Sequence, residues 1–154
     1  MFESMPFLKT LGTLTTSLKA FTAWRSKKVG DIRAIIEELK ENSRFCWLVL
    51  EEDIQIEEIT QKLSTTEFDR LNHAGFDFNS LKKGKIAIDS PTKKTDLSSW
   101  EGKDTQALIS NIYDKIKDLK AQYPFTKNSK KIQWKKRVRN IQKRILLLLK
   151  HATD

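Results

Sequence analysis

The sequence predicts an all-α protein, a compact bundle of about four to five helices that ends in a long, basic, amphipathic helix. Three observations carry this expectation. Ile109, Ile112, Ile116, Leu119 and Tyr123 recur at the 3–4 spacing of one helical face. Trp134, Val138, Ile141, Ile145, Leu148 and Ala152 do the same near the C-terminal end. No convincing set of period-2 runs is present to build a sheet, and stripes of this kind bury one another. The 154 residues suit a single helical domain over 1–154, with an irregular connection at about 76–98.

Taken in order, Phe7, Leu11, Leu14, Leu18 and Phe21 share one helical face, with a start signal at Ser4 before Pro6. The remaining positions are rich in Thr, Ser and Gly, poor helix formers, so this helix gains its stability by docking. Between Phe7 and Ala23 its polar face has only Lys9 and Lys19 for charge, which favours core or protein-docking use over a membrane surface. Gly30 is expected to close this segment, with Asp31 as the N-cap of the next. Ile32, Ile35, Ile36 and Leu39 begin a second stripe. The run Phe45–Leu50 continues that helix or forms a buried strand, and length favours the helix.

From Asp53 the pattern restarts, with Ile56, Ile59 and Leu63 on one face and Glu57 and Glu58 turned outward. Ser64-Thr65-Thr66-Glu67 matches a capping box, Phe68 and Leu71 supply the apolar face that follows, and Gly75 ends it. Over 76–98 the periodicity is lost around Gly84, Asp89-Ser90-Pro91 and several lysines, apart from a brief Lys85-Ile86-Ala87-Ile88 alternation that suggests a short strand. Helix character returns near Ser99 and is expected to stop at Pro124. The last helix is expected to start around Ser129. Leu146, Leu147 and Leu149 widen its stripe, so its C-terminal half should be buried on several sides.

Composition narrows the function. The single cysteine, Cys46, excludes a disulfide framework and multi-Cys zinc modules, and its neighbours Phe45, Trp47 and Leu48 mark it as core. Five scattered glycines leave no phosphate-cradling loop, and two histidines leave little for a metal site. Glu51, Glu52 and Asp53 are adjacent carboxylates that point in different directions from a helix end. No cofactor and no metal are therefore expected. No continuous apolar run approaches the roughly 20 residues of a membrane span, and the N-terminus Met1-Phe2-Glu3-Ser4 has no basic n-region, so a soluble, cytoplasmic protein is expected.

Charge is the strongest signal. Residues 1–123 carry 19 Lys+Arg and 19 Asp+Glu, whereas residues 124–154 carry ten basic residues and one acid, so the whole net charge of +9 lies there. An opposite bias runs from Glu37 to Glu58, net −6. Lys130, Lys131, Lys135, Lys136 and Arg137 precede Arg139, Lys143, Arg144 and Lys150 around the apolar stripe of the last helix. Such a surface attracts an acidic protein partner or a nucleic-acid phosphate backbone, unless the acidic segment covers it. The leading expectation is a non-enzymatic interaction module, an accessory subunit and possible oligomer that engages an acidic partner through this helix. Sequence-nonspecific nucleic-acid binding is the alternative.

Arg144 and His151, with six residues between them, form a third constellation. Seven residues apart on a helix, both side chains share one face. The spacing is similar to the signature of the HEPN (higher eukaryotes and prokaryotes nucleotide-binding) ribonucleases, helical bundles in which such a pair, usually completed in a dimer, cleaves RNA. The resemblance covers residues 144–151 alone, and Ile145 stands where that family commonly has a polar residue. It implies a catalytic pair in which His151 moves a proton and Arg144 steadies phosphate.

Overall fold

The structure, a computed structural model, describes the backbone from residue 14 to residue 154, and the side chains over that range except 14–18, 20, 21 and 24. The start signal at Ser4 and Pro6 and the stripe from Phe7 to Phe21 lie outside the described residues and side chains. Five α-helices follow one another: α1 (Leu14–Glu51), α2 (Ile56–Lys62), α3 (Thr66–His73), α4 (Thr105–Thr126) and α5 (Trp134–Thr153). No strand occurs among the described residues, so the all-α expectation holds. The chain divides into two compact units, Met1–Ala34 and Ile35–Asp154.

In the first unit the described side chains of α1 are exposed or half-buried, with Val29 exposed by 49%. Gly30 does not close a helix here, and Asp31 caps none: α1 runs through both. A mid-helix glycine costs only about 1 kcal/mol relative to alanine, too little to break a helix of this length.

In the second unit α1 presents Ile35, Leu39, Asn42, Cys46 and Val49 as one buried stripe at 4–3–4–3 spacing. The Phe45–Leu50 run is therefore helical. At its end Asp53 adopts a left-handed backbone (φ 54°), which lets the Ile54 N–H reach back to the Leu48 carbonyl at 3.2 Å. Ile59 and Leu63 are buried and Glu57 and Glu58 exposed, as their spacing predicts.

The junction between α2 and α3 departs from the capping-box expectation. Glu67 does not reach back to cap the helix but pairs with Arg70; the Ser64 hydroxyl accepts the first N–H of α3, from Thr66 (3.3 Å), and the next two are accepted by a residue from α1. Glu38, 8% exposed, accepts from the Glu67 N–H (2.8 Å), the Phe68 N–H (3.2 Å), the Ser64 hydroxyl (2.9 Å) and the Tyr113 hydroxyl of α4 (2.9 Å). One turn later Asn42 clamps the Ser64 backbone in both directions, donating to its carbonyl (2.8 Å) and accepting from its N–H (2.9 Å). Lys120 of α4 donates to the Leu63 carbonyl. A carboxylate aimed at a helix N-terminus also meets the positive end of its dipole. Gly75 (φ 74°) does end α3: its N–H bonds to Asn72 and the Phe76 N–H to Leu71, the paired bonds of a Schellman turn.

The stretch between α3 and α4 lacks helical periodicity yet contributes much of the core. Phe78, Ile86, Ile88, Leu97 and Trp100 are buried. Phe76, Phe78, Phe68 and Tyr113 form an aromatic column, with Phe68 and Tyr113 stacked at 4.3 Å between ring centroids. Ile86 and Ile88 alternate inward, and the Ile86 backbone exchanges bonds with Lys103 (2.8 Å) and Gly102 (3.0 Å), but no strand extends from this single pair. Residues near Ser99 form only a 3-10 turn (Asp96–Trp100), and α4 starts later, where Asp104 accepts from the Ala107 N–H at 2.9 Å.

Pro124 does not stop α4, which runs two residues further to Thr126, because a proline in the last turn removes only one bond. α5 then returns antiparallel to α4: Trp134 packs edge-on against Tyr123 at 5.1 Å, and His151 reaches Thr105 at the other end. It begins at Trp134 rather than near Ser129. Its stripe is buried from Trp134 through Leu148, and buried Leu147 and half-buried Leu149 widen it as expected, whereas Leu146 is 51% exposed and does not.

Glu38 at this junction sets the first prediction. Glu38→Ala leaves buried donors on three elements without an acceptor and is expected to cost about 3 kcal/mol in urea denaturation, whereas Tyr113→Phe costs about 1 kcal/mol. The double substitution is expected to cost less than the sum, because both remove the same bond.

Candidate functional site

The basic residues of the C-terminal region fall into two groups, separated by what stands opposite them. Along the second half of α5, Lys143 Nζ lies 3.0 Å and Arg144 Nη2 3.5 Å from the Asp96 carboxylate, and Lys150 Nζ lies 2.9 Å from Asp89. Arg144 also donates to the Asn140 carbonyl (3.1 Å) and its side chain is 11% exposed. The counter-charges come from the 3-10 turns before α4, whose backbone Asp89 and Asp96 help to shape. Asp89 also accepts from the Thr92 N–H, and its bonds with Thr92 and then Lys150 hold its carboxyl well below the usual range. The Lys143 bond lowers Asp96.

The start of α5 and the turn before it differ. Lys130, Lys131, Lys136 and Arg139 are exposed. None of the four makes an ion pair among the described residues. Lys136, Arg139 and Lys143 stand at i, i+3 and i+7, on one face of the helix. Lys135 reaches Asp53 at 3.2 Å, and Lys127 reaches Glu57 at 3.2 Å. The acidic segment therefore forms ion pairs with the basic region at these two points, reaches α5 again where the Ser43 hydroxyl donates to Gln142 (2.9 Å), and leaves the four exposed cations unpaired. Arg137 turns inward, stacking over the Trp134 ring at 5.1 Å and donating to Gln122 at 2.8 Å. An open cleft of about 340 Å³ between α4 and α5 runs beside it, lined by Lys115, Asp118, Gln122 and Asn140 over a floor of Leu119 and Ile141.

Phe125 is a feature that the sequence reading missed. It is 89% exposed on the last turn of α4, between Pro124 and Lys127. Its signal was present, since it falls off the stripe that runs from Ile109 to Tyr123. Asp89 and Asp96 were legible only as loop residues, and nothing local ties them to lysines more than 45 positions away.

The remaining candidates are engaged in the fold. His151 is 9% exposed and its Nε2 lies 2.9 Å from Thr105 Oγ1. The one hydroxyl proton of Thr105 goes to the Lys82 carbonyl at 2.8 Å, so Thr105 accepts from His151, which places the imidazole proton on Nε2. Burial, and then the Lys82 charge, hold His151 below its ordinary value of 6.5. No hydrogen bond joins Arg144 to His151; the first is bound to Asp96 and the second to Thr105. Burial pushes the Cys46 thiol up to about 12, which leaves it protonated and unreactive. Among the described residues no group of His, Cys, Asp and Glu side chains is arranged to hold a metal, and no helix is long and apolar enough to cross a membrane.

These shifts predict two acid transitions. Unfolded chains protonate histidine near 6.5 while folded His151 resists, so stability should fall as pH drops from 6.5 through the lower folded value. Comparing urea midpoints at about pH 7.5 and about pH 5.5 should show this loss in the native chain and a smaller one in His151→Gln. Asp89 and Asp96 contribute stability that is complete above 3.8 and disappears as pH falls through their lowered values. Carboxyl-carbon NMR should find both titrating below 3.8.

No protein-family model matches this chain, and neither a curated protein nor a solved structure does.

Proposed function

We propose that this protein is a non-enzymatic helical interaction module, an accessory subunit that engages an acidic surface through the turn before α5 and the first half of that helix. One observation carries the reading. The cations of the second half of α5 are neutralised by Asp89 and Asp96, whereas Lys130, Lys131, Lys136 and Arg139 have no counter-charge. Four exposed cations on a rigid helix start and its turn raise the local potential and attract a complementary surface at an ionic-strength-dependent rate. The apolar stripe beneath them is buried in the core, so their charge is not needed to solubilise an exposed leucine face.

Phe125 supports a second reading. An aromatic ring 89% exposed beside Lys127, Lys130 and Lys131 is the arrangement in which a base stacks while lysines follow the phosphates.

Fluorescence anisotropy with labelled poly-L-glutamate and with labelled single-stranded RNA, each titrated across salt, separates these readings. The module reading expects poly-L-glutamate to bind and Lys136→Glu combined with Arg139→Glu to weaken it by about tenfold or more. Lys150→Glu is expected to have little effect, because Asp89 already neutralises that lysine. Preference for RNA, lost in Phe125→Ala, would favour the second reading. Equal loss with Lys150→Glu would sink the claim that unpaired charge defines the surface.

A further inference from the structure

We infer that the acidic surface met by the basic face belongs to a second copy of this chain, docked about a two-fold axis; this rests on the reading of that face given above. The Asp53–Lys135 and Glu57–Lys127 pairs pin the α1–α2 turn beside the α4–α5 turn at one end of the unit 35–154. They form a seam between two strips of opposite sign. On one side Glu51, Glu52 and Glu58 are exposed and make no ion pair among the described residues. On the other stand the exposed, unpaired lysines and Arg139 of the α5 start.

A surface with one acidic and one basic strip is self-complementary. Rotation by a two-fold axis through the seam lays the basic strip of each protomer on the acidic strip of the other, so both strips are neutralised at once. A uniformly acidic partner spanning the same surface is attracted on one side of the seam and repelled on the other. A copy of this chain has neither problem. Each strip also carries an exposed aromatic, Trp47 (46%) one turn before Glu51 and Phe125 (89%) at the end of α4. The rotation turns the aromatic of each strip toward the opposite strip of the other copy, where Trp47 and Phe125 add apolar area to the ion-paired contact.

Sedimentation equilibrium of the full chain tests this. The native chain should weigh as a dimer at low salt and dissociate as ionic strength rises from about 0.1 M to about 1 M, where screening shortens to about 3 Å. Lys130→Glu, Lys131→Glu, Lys136→Glu and Arg139→Glu together make both strips acidic, and Glu51→Lys with Glu52→Lys makes both basic. Each variant alone should be monomeric, and an equimolar mixture should recover the dimer, which also shows that both are folded. A native chain that stays monomeric at low salt overturns the inference, as does a variant that dimerises alone or a mixture that stays monomeric. A native monomer that still binds poly-L-glutamate through Lys136 and Arg139 overturns the second copy and leaves the basic-face reading standing. A native monomer that binds RNA instead replaces both with phosphate recognition, and one that binds neither polyanion removes both.

Discussion

Glu38 and Asn42 set the geometry on which the rest of the unit 35–154 depends. They sit one turn apart on the same face as Ile35, Leu39 and Cys46, so packing the apolar stripe of α1 necessarily takes a carboxylate and an amide into the core. A buried carboxylate is costly unless it is fully hydrogen-bonded, and here the donors are the start of α3, Ser64 and the Tyr113 hydroxyl. The polar pair therefore holds α1, the α2–α3 junction and α4 in one register. Leucine at these positions would bury as readily and specify nothing about which turn it meets.

From that junction the aromatic column leads outward through Phe68 to Phe78 and Phe76, and this anchors a stretch that has short 3-10 turns but no α-helix or strand. Because Phe78, Ile86, Ile88, Leu97 and Trp100 are buried, the loops between them are held in place against the end of α5. That places Asp89 and Asp96 beside Lys150, Lys143 and Arg144. Packing in one region thus decides electrostatics in another: the irregular stretch neutralises half of the basic helix and leaves the other half open. Exposed pairs of this kind contribute little to stability, so their consequence is the distribution of free charge over the surface.

The other end of the unit shows the reverse arrangement. There the acidic α1–α2 turn forms ion pairs with the basic region at Asp53 and Glu57, and charges of both signs remain unpaired on either side. Phe125 is exposed at this end because Pro124 removes a single bond from the last turn of α4 without ending it, and the helix carries the next side chain past the stripe into solvent.

Period and local chemistry made the helices legible from sequence. The stripes of α4 and α5, the burial of Ile59 and Leu63, the end of α3 at Gly75 and the core position of Cys46 all follow from spacing and from neighbours a few residues away. So does the concentration of charge after Pro124, which is a property of composition. Wherever a partner lies far along the chain, sequence was silent or misleading. Ser64–Glu67 reads as a self-capping start, yet the acceptor for the Glu67 N–H is supplied by Glu38, 29 positions before it. Gly30 reads as a stop, yet its cost is smaller than that of ending a long helix. Which lysines are free depends on where Asp89 and Asp96 come to rest, and that is fixed by buried aromatics whose spacing carries no helical or strand period. Sequence alone determined that a basic helix exists. Only tertiary packing decided which part of it remains charged toward solvent, because ion pairing is a matter of distance in space and the chain's periodicity encodes only its faces.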